Sequence, residues 1–259
     1  MISKNEIKYI HALRLKKFRI QHQEFIAEGS KIVGDLLDSS VAISVIYALG
    51  EWIEAHSELV HKAKTIVPVS FEELTKISSL TTPNQVLAVA EIPQRQFDVE
   101  LSSKSMIIAL DDIRDPGNLG TIIRIADWFG HKNIVCSETC VDAYNAKTVQ
   151  ASMGSIARVN IFYEDLKRVI QNAAVPVYGA FLEGNIVYGE GFAAYGFLLI
   201  GNEANGISAD IASLVTHKIF IPSGNAAETH VESLNASIAT AIICSEMQRQ
   251  SLIHLNQNP

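Results

Sequence analysis

The sequence predicts an α/β protein in two parts, a small mixed α/β unit over residues 1–95 and a larger α/β domain over 106–259. Three observations carry this expectation. Short β-branched runs alternate with helix-spaced apolar stripes along most of the chain. Residues 93–105 (PQRQFDVELSSKS) lose that periodicity and carry Pro93 and a serine cluster, which places a linker at 96–105. Beyond Met106 the apolar runs become continuous, as strands buried on both faces require, and several end in glycine-bearing loops. With 259 residues, 48% hydrophobic and 19% charged, the chain can bury a sizeable core.

In the first part, a basic helix over 4–19 leads into FIAEG at 25–29. Ser30 is placed to cap a helix whose Ile32, Val33, Leu36 and Leu37 share one face. VAISVIYAL (41–49) reads as a strand, followed by a helix near 51–63, TIVPVS (65–70), a helix near 71–78 and the strand VLAVAEI (86–92). The second part opens with MIIAL (106–110), a glycine-rich turn and a helix to Phe129 closed by Gly130. NIVC (133–136), a helix near 143–152, RVNIF (158–162) and a helix near 164–173 continue the alternation. VPVYGA (175–180), GFLLIG (196–201) and KIFIPS (218–223) complete the sheet, and a long helix runs from about residue 232 to 251. Parallel strands of this kind make a binding crevice at their carboxyl ends. Pattern alone supports an α/β domain that binds a small cofactor.

Composition narrows the classes. The net charge of −7 argues against a protein that coats nucleic acid nonspecifically. Lys4, Lys8, Arg14, Lys16, Lys17 and Arg19 nevertheless face only Glu6 within the first twenty residues. That basic start suits phosphates, although charge alone favours a solvated helix face. KNEIKYIHALRLKKFR lacks the pattern of a secretory signal, and no run approaches the roughly 18 apolar residues of a membrane span, so a cytoplasmic protein without membrane association is expected. Cys136, Cys140 and Cys244 are sparse and odd in number, and no His/Cys cluster completes a metal site. Small buried hydrophobes in a reducing compartment are the expectation, with no metal.

Three loops are placed to carry chemistry. In DDIRDPGNLGTIIRIADWFG (111–130), Pro116 and Gly117 force a turn, and Gly117 and Gly120 permit close approach of a backbone or ligand. Asn118 lies in the turn and Arg124 inside the helix, and the spacing is not the dinucleotide fingerprint GxGxxG. From spacing alone, Arg124 reads as a surface ion pair with Asp127 at i+3. In LLIGNEANGIS (198–208), Gly201 allows the backbone to touch a cofactor, and Glu203 is either a solvated acid or a brace for the loop. In IFIPSGNAAETHVESLNASIATAI (219–242), Ser233 or Asn235 caps the following helix, or both present polar groups to a substrate. His230 is a proton acceptor by residue type only.

Taken together and in order, these loops resemble the SpoU/TrmH branch of the SPOUT methyltransferases. DPGNLGTIIRIADWFG resembles the first motif, IGNEANGIS the second and IPSGNAAETHVESLNASIA the third, across residues 106–250. The N-terminal KKFRIQHQEFIAEGSKIV and TTPNQVLAVAE resemble the small RNA-binding domain of many members. GNAAETHVE, before SLN, is longer than the family's compact form. The resemblance implies a C-terminal domain threaded into a trefoil knot, an exception to the rule against knots. It also implies S-adenosylmethionine bound there through backbone groups, with Gly201, Ile221 and Leu234 lining it. Asn118, Arg124, Glu203, Ser233 and Asn235 would form the catalytic region. Arg124 suits a phosphate clamp rather than a general base, because a guanidinium stays protonated. Asn118 and Asn235 would orient the ribose or the third loop, and Glu203 would brace the loops. The implied reaction is methylation of a ribose 2′-hydroxyl in structured RNA, large-subunit ribosomal RNA ahead of tRNA, with guanosine among the candidate nucleotides. A homodimer is implied through the first-motif helix and the C-terminal helix, whose apolar surplus includes Ile122, Ile123, Ile238, Ile242 and Ile243. The competing readings are a non-catalytic RNA-binding protein and a nucleotide-dependent oxidoreductase, the latter disfavoured by the missing GxGxxG.

Overall fold

The computed structural model describes residues 2–224 and 233–257, with side chains to residue 253. Two units are present: Met1–Gln94 with Asp142–Arg158, and Arg95–Val141 with Val159–Pro259.

The first unit begins with α1 (Lys4–Ala12) and α2 (Lys16–His22) where one helix over 4–19 was expected. Arg19 explains the break. It is 2% exposed and donates to the carbonyls of Leu13 and Arg14, each at 2.8 Å, and to Asp142 Oδ2 at 2.6 and 2.9 Å. It thus satisfies carbonyls at the end of α1 that a helix terminus otherwise leaves unpaired, and it is no part of a solvated basic face. β1 (Glu24–Glu28), α3 (Ser30–Leu37), β2 (Ile43–Ala48), α4 (Gly50–Ala55), α5 (Ser57–Val60), β3 (Thr65–Pro68), α6 (Phe71–Ile77) and β4 (Val86–Glu91) follow. The expected helix near 51–63 is divided at His56, whose φ of −121° leaves the helical region. Ser30 is not a cap: the cap position belongs to Gly29 at φ 101°, which glycine adopts without strain. The sheet order is β1-β4-β2-β3, with β2 and β3 parallel and the other pairs antiparallel. One core holds Ile10, Leu13, Ile26, Leu74, Ile77 and Leu87. Capping boxes at Ser3/Glu6 and Ser70/Glu73 start α1 and α6.

The second unit carries a 3₁₀ turn (Val99–Ser103), β5 (Met106–Leu110), α7 (Pro116–Trp128) and β6 (Asn133–Cys136). The chain then passes through α8 (Ala146–Ser152), which packs against β1 in the first unit although the sequence assigned it to the second part. The rings of Phe25 and Tyr144 pack with centroids 5.0 Å apart and planes tilted by 48°, and Asp35 pairs with Arg158 at 3.1 Å. β7 (Asn160–Tyr163), α9 (Leu166–Gln171), β8 (Val177–Ile186), β9 (Gly196–Ile200), α10 (Ala209–Ala212), β10 (His217–Phe220) and α11 (Ala236–Gln257) complete the second unit. Its six strands are all parallel, in the order β10-β8-β9-β5-β6-β7. β8 outruns the expected 175–180 because it keeps pairing with β10 after the register jumps from Gly179 to Asn185. Residues 99–103, inside the expected linker, bury Ser102 and set Leu101 on the core of Ile107, Phe162, Phe197 and Leu199. α7 and α11 pack on each other. Among the described residues no helix is long and apolar enough to cross a membrane.

Candidate active site

Because every strand of the second sheet is parallel, the loops after β5, β9 and β10 emerge on one edge. The first of these is anchored from below. Asp111, buried at the end of β5, accepts from the Ser208 amide at 2.8 Å and so ties this loop to the one after β9. Asp112 takes φ 58°, its amide donates to Ser137 Oγ at 2.9 Å, and its carbonyl accepts from Asn202 Nδ2 at 2.8 Å. Cys140 accepts from the Ile113 amide at 3.2 Å and donates to the Leu110 carbonyl at 3.3 Å. Its thiol is drawn down to about 7, first by a hydrogen bond from Cys136, whose own thiol is raised by the same bond and by burial. All three cysteines are free and buried.

The loop after β9 closes on itself. Asn202 and Gly206 exchange backbone hydrogen bonds at 3.0 and 2.8 Å, and Asn202 Oδ1 accepts from the amides of Ala204 and Asn205. A Cβ at Gly201 would lie 2.3 Å from the Gly206 carbonyl carbon, so the turn itself demands glycine.

Asp115 caps α7 by accepting from the Asn118 amide at 2.8 Å, with Pro116 in the first turn. Asn118 is therefore helical rather than in the preceding turn. Its Nδ2 donates to Glu203 Oε1, and its Oδ1 accepts from Asn235 Nδ2 at 2.8 Å. Asn235 in turn precedes α11 and accepts on Oδ1 from Ser237 N (3.0 Å), Ser237 Oγ (2.6 Å) and Ile238 N (3.3 Å). These bonds fix the direction of the chain. Asn235 must turn its oxygen toward the helix amides, so its NH₂ faces Asn118, whose NH₂ then faces a carboxylate. Three sequence-distant loops meet in one relay that ends on the carboxyl group of Glu203.

Other expected residues lie outside the relay. Arg124 is exposed on α7 and makes no ion pair among the described residues, so the bond to Asp127 is absent. Ser233 and Leu234 are exposed just before α11, while Gly201 and Ile221 are half-buried at the ends of β9 and β10. His230 and most of the GNAAETHVE insertion fall outside the described residues. Asp111, Asp112, Asp115 and Asn202 went unread in the sequence, and Cys140 was read only as a small buried hydrophobe. Only Asp115 carried a usable signal, an Asp-Pro pair opening a helix. A cavity of about 440 Å³, bordered by Met106, His131, Phe192 and Met247, lies beside α11 and includes none of the relay residues.

Residues 105–245, more than half of the chain, match the SpoU rRNA methylase family. The chain belongs to that family. It is an RNA 2′-O-methyltransferase that draws its methyl group from S-adenosylmethionine. Residues 4–88 match the MRM3-like substrate binding domain. The 23S rRNA (guanosine(2553)-2′-O)-methyltransferase RlmP of Bacillus subtilis (strain 168) is 28% identical over 235 residues, covering 89% of this SpoU-family chain and 91% of its own. A Porphyromonas gingivalis structure assigned to the TrmH family is 36% identical, with a TM-score of 0.86 over 96% of this chain and 99% of the other. An AdoMet-bound rRNA methyltransferase from Sinorhizobium meliloti is 30% identical, with a TM-score of 0.84 over 96% and 97%. The edge of this SpoU-family sheet suits such a cofactor: the turn after β9 presents close-packed backbone, and Ile221 and Leu234 leave apolar surface uncovered without a charged side chain among them.

Proposed function

We propose that this SpoU-family enzyme methylates a ribose 2′-hydroxyl of large-subunit ribosomal RNA, guanosine being the nucleotide favoured. The observation that carries the reading is the relay Asn235–Asn118–Glu203, which joins the three motif loops at one point on the carboxyl edge. Support for the substrate comes from the name of the B. subtilis relative and from the substrate-binding match at 4–88. Gly201, Ile221 and Leu234 would hold S-adenosylmethionine, which when bound supplies an electrophilic methyl group. Asn118 and Asn235, held rigid by their mutual bond, orient the ribose for in-line approach, where geometry contributes most of the gain. Glu203 accepts from Asn118 and so braces the loops. Ser233, exposed beside Asn235, offers a hydroxyl to the ribose. Arg124 holds the phosphate beside the target. Its guanidinium stays charged, and no protein carboxylate among the described residues competes for it.

The same reading divides the chain into a substrate-binding domain (1–95), a connector (96–105) and a methyltransferase domain (106–259), supported by the two family matches. It includes a trefoil knot in the second domain, for which the support is β10 pairing with β8 while α11 returns onto α7. It also includes a homodimer, supported by Ile238 and Leu252 on α11, 52% and 51% exposed. The reading also keeps the enzyme in the cytoplasm.

The test is single-turnover methylation with saturating RNA and S-adenosylmethionine. Arg124→Ala should lower the rate on the order of 100-fold with folding unchanged, the scale of losing a positioned electrostatic group. Arg124→Lys should recover little, because a point charge does not reproduce the planar fork. Turnover near the wild-type rate in the alanine variant would remove Arg124 from the site. Mapping 2′-O-methylation in total RNA with and without the gene identifies the nucleotide, and a tRNA site there would overturn the ribosomal assignment.

A further inference from the structure

Cys136 ends β6, and Cys140 closes the turn that follows, its amide donating to the Ser137 carbonyl at 3.0 Å. Glu138 and Thr139 in that turn are exposed, so Cys140 is the buried end of a surface turn. The two thiols are hydrogen-bonded to each other. Cys140 Sγ is also tied to the first-motif loop, accepting from the Ile113 amide at 3.2 Å and donating to the Leu110 carbonyl at 3.3 Å. A plain apolar side chain at 140 would make neither bond. On either side of Cys140, Ser137 Oγ accepts from the Asp112 amide at 2.9 Å, and the Val141 amide donates to the Ile113 carbonyl at 2.8 Å. The Asp112 carbonyl in turn accepts from Asn202, the neighbour of Glu203. The turn after β6 therefore props the loop that brings Asp115 and Asn118 into the relay. Cys244 is the contrast within the same chain: it is equally buried, and burial alone lifts its thiol to about 12.

We propose that hydrogen peroxide joins Cys136 and Cys140 in a reversible disulfide, and that this disulfide switches methylation off by releasing the first-motif loop. The inference rests on the relay being the site of methyl transfer and adds its regulation. A thiol drawn down to about 7 is in large part thiolate at neutral pH, the form that attacks a peroxide. In the first step Cys140 Sγ attacks one peroxide oxygen. An S–O bond forms, the O–O bond breaks, and the departing hydroxide leaves as water with the proton of the thiol. Cys136 Sγ then attacks Cys140 Sγ: the S–S bond forms, the S–O bond breaks, and a second water carries off the Cys136 proton. Two thiols are oxidised to one disulfide, and one peroxide is reduced to two waters. A disulfide holds its sulfurs about 2.05 Å apart, well inside hydrogen-bond distance, so Cys140 Sγ must shift toward Cys136. With no S–H left, it cannot donate to Leu110, and the Ile113 amide faces a displaced sulfur.

Trypsin releases both cysteines in one peptide, residues 133–147. After treatment of the full chain with hydrogen peroxide, this peptide should be lighter by two hydrogens, while Cys244 still alkylates once the protein is unfolded. Single-turnover methylation of large-subunit rRNA should fall on the order of 100-fold, the scale of a reacting group displaced by about an ångström, and dithiothreitol should restore it. Hydrogen exchange across residues 111–118 should rise in the oxidised protein, a readout that needs no RNA. For variants, the rate after peroxide is divided by the rate before it, so that a change in starting rate cancels. Cys140→Ser should show no loss by this ratio. In Cys136→Ala, peroxide should leave a dimedone-reactive sulfenic acid on Cys140 and no disulfide, which tests the pair even where the serine variant does not fold. Absence of the disulfide in the wild type would overturn the proposal, as would a disulfide that leaves both rate and exchange unchanged. Equal inactivation of Cys140→Ser, or a Cys136→Ala protein without the dimedone adduct, would do the same. If the reduced wild type transfers no methyl group to rRNA, the methyltransferase reading falls by itself, and the peptide mass and the exchange across 111–118 still decide whether the pair releases the loop.

Discussion

Asn235 has two tasks, and its two terminal atoms divide them. The oxygen caps α11, and the NH₂ holds Asn118. Aspartate would perform the first task as well as asparagine does, but it would set an acceptor against the Asn118 oxygen. Should Asn118 rotate to compensate, its oxygen would meet the carboxylate of Glu203 instead. Asn235→Asp should therefore leave the melting temperature nearly unchanged and slow single-turnover methylation on the order of 100-fold. Loss of stability in parallel with activity would reduce Asn235 to a cap. Arg19 makes a different point at the same scale. Two of its acceptors, the carbonyls of Leu13 and Arg14, lie within six residues, but Asp142 lies 123 positions away. No local pattern in a run of lysines and arginines distinguishes the one that folds inward.

At the scale of elements, α7 is the scaffold on which Asn118 and Arg124 are arranged, and its start is fixed by Asp115. Asp115→Ala should cost about 1 kcal/mol in denaturant unfolding, a usual figure for a lost cap. It should also reduce methylation, because Asn118 occupies the capped turn. Unchanged activity at the lower stability would show that the position of Asn118 does not depend on the cap. The elements were unequally legible. β5 and β9 were readable because both of their faces are buried, which writes an unbroken apolar run into the sequence. The extension of β8 was not, since residues 182–186 are exposed and are held by backbone pairing to an edge strand. The relay was half legible: motif order pointed to Asn118, Glu203 and Asn235, but spacing cannot say that they touch. It likewise misassigned Arg124 to Asp127, a pair that i+3 geometry permits and the fold does not make.

For the whole molecule, the structure changes the argument for dimerisation. Of the five isoleucines counted as surplus on α7 and α11, Ile122, Ile123 and Ile243 are in the core of their own unit, leaving Ile238 exposed and Ile242 half-buried. With Leu252 these lie along one side of α11, a narrower face than the sequence suggested. Sedimentation at micromolar concentration should give a species near twice 28.4 kDa, and a clean monomer would withdraw the proposal. The inclusion of 142–158 in the first unit bears on something else, the order in which the chain is made. On the ribosome, β1 emerges well before α8, the segment it packs against, and β5, α7 and β6 are synthesised in between. At 5–20 residues per second the first unit therefore waits seconds, with Phe25 uncovered, for a part that arrives after the second unit has begun. The first unit cannot be finished before the second is started.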